Sequence, residues 1–153
     1  MKIFRLKKSQ SLPITIEECW EFFSNPKNLK IITPDYMGFN IVDVENTKMY
    51  SGQIIKYNVT PLFGINMRWV TEISHVKKNS FFVDEQRFGP YKFWHHKHMF
   101  KVIDGGVKTI DLLDYSLPMG PIGRLLQPIL IKPKIEEIFE YRRKKLIEIF
   151  GEI

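Results

Sequence analysis

The sequence predicts an α+β fold in which a curved antiparallel sheet of six to seven strands wraps around a long C-terminal helix. Alternating apolar and polar residues, interrupted by turn signals, extend from Phe39 to Leu117. Helical spacing of apolar residues follows over Pro133–Phe150, and two short helices separate the first strand from the others. Because one face of such a sheet is apolar, the long helix is the expected cover. The 153 residues suit a single domain, residues 1–153.

The N-terminal elements are predicted to be one strand and the two short helices. Ile3–Ser9 alternates weakly and is the expected first strand, which Pro13 ends. Thr15 is the expected N-cap of a helix at Ile16–Phe23, because acidic residues occupy the first turn of that helix. A second short helix is predicted at Lys27–Ile32.

Six further strands are predicted after these helices. The first begins at Phe39 and fades in Glu45–Thr47, and a loop is expected at Pro61–Gly64. Spacing of this kind is typical of consecutive antiparallel strands joined by hairpins. The later turn signals are Lys77–Asn79, Phe88–Tyr91 and Asp104–Val107.

The strand predicted around Phe93–Ile103 carries the most informative residues. Successive side chains on a strand point to opposite faces, so aromatic residues and two histidines share one face while lysines occupy the other. We expect the first face to lie inward. It consists of Trp94, His96, His98, Phe100 and Val102.

Two predicted hairpins give this face its neighbours. A turn centred on Gly105 and Gly106 pairs Phe100 with Asp111, His98 with Leu113 and His96 with Tyr115. A tight turn at Gly89-Pro90 pairs Trp94 with Gln86, His96 with Asp84 and His98 with Phe82. A slip of one residue in either hairpin would exchange the two faces.

The inward face is too polar for an ordinary core and too aromatic for a solvated surface. It therefore predicts a cavity for a small hydrophobic or amphipathic ligand, with a polar anchor from His96, His98, Asp84 and Asp111. The candidate ligand-binding residues are Tyr57, Trp69, Phe82, Asp84, Gln86, Trp94, His96, His98, Phe100, Asp111, Leu113 and Tyr115.

The chain after the last predicted strand is apolar and interrupted by glycine and proline. The run Arg124–Ile131 is expected to form a short helix broken at Pro128, and Gly120–Lys132 is expected to act as a mobile lid or entrance beside the long helix. Pro133 suits the start of that long helix and Gly151 suits its end. The basic run Arg142–Lys145 is interpreted as a solvated face.

Composition and motifs argue against several classes of function. The net charge is +6, but the basic residues alternate onto the face opposite the aromatic residues, which argues against nucleic-acid binding. The single cysteine, Cys19, excludes an intrachain disulfide and is expected to be buried. The absence of a long apolar run or a signal peptide predicts a cytoplasmic protein. No glycine-rich phosphate-binding motif occurs, so no cofactor is expected.

Several short motifs are distributed over nearly the whole chain. They are Phe22-Phe23-Ser24-Asn25-Pro26 with Leu29, Thr33-Pro34, Gly38-Phe39, Phe82-x-Asp84-x-Gln86, Gly89-Pro90-Tyr91, Trp94-x-His96-x-His98-x-Phe100, Asp111, Tyr115, Pro118-x-Gly120 and Gly123-Arg124-Leu125. With the order of elements, they resemble the helix-grip fold of the START-like (SRPBCC) superfamily, and in particular its bacterial SRPBCC ligand-binding or cell-division-inhibitor-like branch. Members of the superfamily bind lipids, polyketides, hormones or quinones under the long helix, and some cyclise or dehydrate their ligands. The resemblance therefore implies a cavity rather than one reaction.

Three functional hypotheses remain open at this point. The first is a binding module for a lipid-, polyketide- or quinone-like ligand. The second is a cyclase, dehydrase or isomerase in which His96 or His98 acts as general acid or base. The third is an interaction protein whose sheet edge or apolar segment Ile122–Ile131 docks a partner. The two histidines with Asp84 or Asp111 also have a spacing that suits a metal, but such residues often form a buried hydrogen-bond network, and no metal is expected.

Overall fold

The computed structural model describes residues 1–44, 48–61 and 64–153. These residues form seven strands and three α-helices. The strands are β1 (Phe4–Leu12), β2 (Asn40–Val44), β3 (Gln53–Val59), β4 (Met67–Lys77), β5 (Phe81–Phe88), β6 (Phe93–Ile103) and β7 (Gly106–Ser116). The helices are α1 (Ile16–Phe23), α2 (Gly120–Leu126) and α3 (Lys132–Phe150). Two predictions fall partly outside the described residues. They are the end of the second strand at residues 45–47 and residues 62–63 of the predicted loop.

All seven strands belong to one antiparallel sheet with the order β1-β7-β6-β5-β4-β3-β2. Consecutive strands from β2 to β7 are neighbours, and β1 pairs along its whole length with β7. This pairing extends β1 to Leu12, three residues beyond the predicted end at Ser9. The 19-residue helix α3 packs on the sheet and buries Ile135, Phe139 and Leu146. The predicted fold class is therefore confirmed.

The segment after β1 follows the prediction for α1 but not for the second helix. The hydroxyl of Thr15 accepts a hydrogen bond from the Glu18 amide (3.2 Å), and the Glu18 carboxylate accepts one from the Thr15 amide (2.9 Å). This reciprocal capping fixes the start of α1. The predicted helix at Lys27–Ile32 is instead a 3₁₀ turn at Pro26–Lys30, followed by a second one at Asp35–Met37. Pro34 separates these two turns, because a proline disfavours a helical conformation in the residue before it.

The hairpin between β5 and β6 has the predicted register, with Phe82 opposite His98 and Asp84 opposite His96. The hairpin between β6 and β7 is shifted by two residues, because its turn centres on Asp104 and Gly105. Gly105 has φ of 79°, a left-handed conformation that a glycine adopts without strain. The predicted partners are corrected as follows: His98 lies opposite Asp111, His96 opposite Leu113, Trp94 opposite Tyr115 and Phe100 opposite Thr109. A shift of two residues keeps every side chain on its predicted face.

The inward face of β6 ends earlier than predicted. His96, His98 and Phe100 are buried, but Val102 is 70% exposed. Val102 lies one residue from the end of β6, beside the β6–β7 turn. The prediction that Val102 points into the core is therefore wrong, since its strand position extends beyond the packed part of the sheet.

The chain between α2 and α3 is helical rather than broken at Pro128. Residues Gln127–Ile131 form a π-helix that joins α2 to α3. Pro128 has no amide hydrogen to continue an α-helical ladder, and a wider π turn accommodates that loss. At the other end of α3, the Gly151 amide donates to the Ile147 carbonyl (2.8 Å), so Gly151 ends the helix as predicted.

Candidate functional site

A cavity of about 180 Å³ lies between the sheet and helix α3. Seven of the candidate ligand-binding residues line it: Tyr57, Trp69, Phe82, Asp84, Trp94, His96 and His98. They come from strands β3, β4, β5 and β6, whose side chains alternate between the two faces of the sheet. The cavity wall opposite the sheet includes Ile135, Ile138 and Phe139 of α3. The lining is mostly apolar, with one polar region at the two histidines.

Four other candidates do not line this cavity, which corrects their predicted placement. Gln86 is held by the backbone of Tyr91, to whose carbonyl it donates (2.6 Å) and from whose amide it accepts (3.1 Å). Phe100 packs against the ring of Trp20 and is part of the core. Leu113 is fully buried in a second core cluster, beside Tyr115. The Tyr115 hydroxyl accepts a hydrogen bond from Gln127 (2.8 Å), outside the cavity.

Asp111, the remaining candidate, lies behind the histidines rather than on the main cavity wall. It lines a narrower crevice between β1, β7 and α3, which Arg142 also lines. Its carboxylate nevertheless reaches the histidines, since Asp111 is directly opposite His98 in the sheet. Asp111 therefore belongs to the polar cluster described below, although it does not line the main cavity.

The polar cluster consists of His96, His98, Asp84 and Asp111. His96 Nε2 lies 3.0 Å from Asp111 Oδ1, and His96 Nδ1 lies 3.4 Å from Asp84 Oδ2. His98 Nε2 lies 2.7 Å from Asp84 Oδ2, and His98 Nδ1 lies 3.0 Å from Asp111 Oδ1. Asp84 therefore contacts His96, its predicted partner in the sheet, and Asp111 contacts His98, its partner in the corrected register. Each carboxylate in fact contacts both imidazoles, whose ring centres are 3.8 Å apart.

Aromatic rings surround this cluster and limit its access to water. Phe82 stacks on the His98 ring at 4.2 Å, and Phe139 of α3 meets the His96 ring edge-on at 5.6 Å. The indole of Trp94 donates a hydrogen bond to Asp84 Oδ1 (3.2 Å). The histidine side chains are 5% and 9% exposed. Interactions between charges are stronger in such surroundings than in water.

The protonation states of the cluster follow from burial and charge. Burial alone would lower the pKa of His96, but the negative charge of Asp84 and hydrogen bonds to Asp111 and Asp84 raise that pKa to about 9. Burial alone would raise the pKa of both carboxyl groups. The positive His96 and the hydrogen bonds from both imidazoles instead hold the pKa of Asp84 and that of Asp111 well below their usual range. At neutral pH, His96 is therefore a cation between two carboxylates.

Arg142 is a member of the site that sequence analysis missed. It was interpreted as part of a solvated face, but the structure corrects this: Arg142 is buried on the inner side of α3 and lines the cavity. Its Nη1 atom lies 3.5 Å from Asp111 Oδ1, and its guanidinium carbon lies 5.1 Å from the Phe139 ring centre. A signal was present, because Ile135, Phe139 and Arg142 follow the spacing of one helical face.

The same atoms could hold a metal ion only after losing a proton. One donor atom each from Asp84, His96 and His98 lies within 4.8 Å of the others. A protonated imidazole has no free lone pair, so His96 must be deprotonated before it can bind a cation. The nearby Arg142 guanidinium adds positive charge, which further disfavours a cation. The cluster is therefore better suited to hydrogen bonding than to metal binding.

Comparisons with known proteins establish the fold. No family model and no curated protein matches the sequence. Among solved structures, protein CV1439 from Chromobacterium violaceum is 14% identical over 100% of both chains, with a TM-score of 0.69. Major latex-like protein 151 from Panax ginseng is 11% identical over 97% of both chains, with a TM-score of 0.67. Ara h 8.0201 is 13% identical over 96% of this chain and 99% of its own, with a TM-score of 0.61.

At these identities the likeness concerns the fold alone. The ginseng protein and Ara h 8.0201 are helix-grip proteins, and this chain shares their curved sheet and long C-terminal helix. The chain therefore has the helix-grip fold. Within its described residues, no helix is long and apolar enough to cross a membrane.

Proposed function

We propose that this chain is a START-like (SRPBCC) protein that binds one small hydrophobic or amphipathic ligand in the cavity beneath α3. The observation that carries this proposal is a mostly apolar cavity of about 180 Å³ with a single buried polar cluster on its wall. An engineered cavity of about 150 Å³ binds benzene. The ligand should therefore be compact, such as a quinone-like or polyketide-like ring or a short lipid chain.

Unpaired donors on the cavity wall indicate the chemistry of the ligand's polar group. Trp69 Nε1 and two Arg142 atoms, Nε and Nη1, are buried without a hydrogen-bond partner among the described residues. Buried N–H groups generally require a partner, so the ligand should bring an acceptor oxygen. The positive charges of His96 and Arg142 balance the negative charges of Asp84 and Asp111. A neutral carbonyl or hydroxyl group therefore fits better than an uncompensated carboxylate.

The test is to recover and titrate the ligand. Native mass spectrometry of the protein from its own host should show a retained small molecule. Titration with that molecule, followed by tryptophan fluorescence, should report binding because Trp69 and Trp94 line the cavity. Arg142→Met keeps most of the side-chain length but removes the donors, and should weaken binding by about tenfold. Binding unchanged in Arg142→Met would contradict the assigned role of Arg142.

An enzymatic function is the second candidate, and the state of His96 favours it. A histidine with a pKa of about 9 on the wall of an apolar cavity is a proton donor at neutral pH. Such a group could act as general acid in a cyclisation, dehydration or isomerisation. Incubating the recovered ligand with the protein and with His96→Gln would separate the two functions. Conversion by the parent alone indicates catalysis, whereas an unchanged ligand in both samples indicates a binding protein.

A further inference from the structure

Helix α2 and the π-helix that follows it expose their apolar side chains. Ile122, Leu125 and Ile129 are 60%, 69% and 67% exposed, and Met119, just before α2, is 63% exposed. Ile122, Leu125 and Ile129 recur every three or four positions, close to the spacing of one helical face, and Met119 directly precedes α2. We refer to Met119, Ile122, Leu125 and Ile129 as the apolar stripe. An exposed surface of this kind marks an interaction site more often than chance packing.

The opposite side of this segment fixes the stripe in its outward orientation. Gly123 is buried, and a Cβ atom there would lie 2.2 Å from the Pro118 carbonyl oxygen, so only glycine fits. Gln127 is also buried and donates a hydrogen bond to the Tyr115 hydroxyl (2.8 Å). The segment thus buries a glycine and a polar amide while it exposes isoleucine and leucine, the reverse of an ordinary surface helix. Rotation to hide the stripe would break both contacts.

The charged residues of the chain segment that carries the stripe are all positive, whereas Asp114 precedes this segment and Glu136 and Glu137 follow it. Between residues 115 and 135 the chain contains Arg124, Lys132 and Lys134 but no aspartate or glutamate. Lys134 is paired with Glu137 (3.0 Å), whereas no ion pair of Arg124 or Lys132 occurs in the described part of the chain. Lys132 also lines a crevice with Lys2, which adds another cation on this side of the molecule.

We propose that the apolar stripe and its basic neighbours dock on the surface of a lipid bilayer that contains anionic lipids. The exposed isoleucine and leucine side chains would enter the boundary between headgroups and acyl chains, while Arg124 and Lys132 would meet lipid phosphates. A second copy of this chain is a poorer occupant, because each copy has a net charge of +6 and carries the same basic residues here. This proposal does not depend on which ligand the cavity holds.

Vesicle co-sedimentation tests the proposal with matched variants. The probes are phosphatidylcholine vesicles and vesicles of phosphatidylcholine mixed with phosphatidylserine. Leu125→Asp and Ile129→Asp each place a carboxylate in the stripe. Val102→Asp is the control, because Val102 is also 70% exposed but lies beside the β6–β7 turn. The stripe follows Ser116, which is at the opposite end of β7. All three sites are exposed, so the variants should fold like the parent, as circular dichroism will check.

The parent should bind the phosphatidylserine-containing vesicles and lose that binding as salt concentration rises. Leu125→Asp and Ile129→Asp should each reduce the partition coefficient by about tenfold or more, while Val102→Asp leaves it unchanged. Three results would overturn the proposal: no binding to anionic vesicles, equal binding to both vesicle types, or an equal loss in Val102→Asp. A dimer seen by light scattering that Leu125→Asp dissociates, without vesicle binding, would also overturn it in favour of self-association.

Discussion

The buried cation at His96 should make the stability of the fold depend on pH between 6.5 and 9. In the unfolded chain this histidine titrates near its ordinary pKa of 6.5, and in the folded protein the pKa is about 9. A group whose pKa rises on folding stabilises the fold fully below its unfolded pKa, and loses that effect as pH rises through its folded pKa. Raising the pH over this interval should therefore destabilise the protein.

The magnitude follows from the change in the pKa of His96. The difference between 6.5 and about 9 multiplied by about 1.4 kcal/mol per pH unit gives about 3–4 kcal/mol of stability in the fully protonated state. Most of this is lost by pH 9, which corresponds to a decrease in Tm of about 8 °C for a chain of this length. The carboxylates of Asp84 and Asp111 stay ionised throughout, because their pKa values are lowered. They therefore contribute no opposing change in this interval.

Urea unfolding followed by circular dichroism at a series of pH values measures the effect directly. His96→Gln is the matched control, because glutamine retains a hydrogen-bonding side chain of similar reach but does not titrate. The variant should have a free energy of unfolding that changes much less than that of the parent between pH 6.5 and 9. An equally flat profile in the parent would show that His96 is not held as a cation by the two carboxylates, and would refute the reasoning.

Three further predictions concern the cluster and the helical segment. Asp84→Ala or Asp111→Ala removes one of the two carboxylates that the buried imidazoles contact, and should lower the free energy of unfolding by about 1–3 kcal/mol in urea titrations. His98→Ala should reduce the free energy of binding a recovered ligand, measured by fluorescence titration, by more than it reduces the free energy of unfolding. Unchanged ligand binding in this variant would show that the polar face has only a structural role. Amide hydrogen exchange in residues Gly120–Lys132 should be faster than in β6, as expected for a lid, and equally slow exchange would show a packed connector instead.

The inward face of β6 could be predicted from sequence because side-chain alternation is a local property. The β5–β6 register also followed from the Gly89-Pro90 turn, and it placed Asp84 opposite His96 correctly. The β6–β7 register was wrong by two residues, because Asp104-Gly105 and Gly105-Gly106 are both acceptable hairpin centres in a sequence. The error left every side chain on its predicted face, but Asp111 lies opposite His98 in the structure and not opposite Phe100 as predicted. That single shift brings the second carboxylate to both imidazoles.

The burial of Arg142 and the set of residues that line the cavity depend on tertiary packing, which a sequence pattern does not specify. Arg142 begins a run of four basic residues, Arg142–Lys145, whose composition fits a solvated helix face. Its burial depends on Asp111 from β7 meeting α3 at that position, a contact between residues 31 positions apart. Likewise, Leu113 and Tyr115 share the inward face with the cavity residues. They fill the core beneath α3 instead, where Leu113 packs with Ile135.

The cost of the polar cluster supports a role beyond stability. Two carboxylates, an imidazolium and a guanidinium have been removed from water, and replacing such groups with apolar side chains of similar volume often stabilises a protein. The same sheet face shows that apolar residues fill this position readily, since Ile73 lies directly opposite Asp84 and Leu113 directly opposite His96. Packing alone therefore does not require charges here. Because the histidines and Arg142 also line the one mostly apolar cavity wall described above, a ligand's polar group is the simplest physical reason for the cluster.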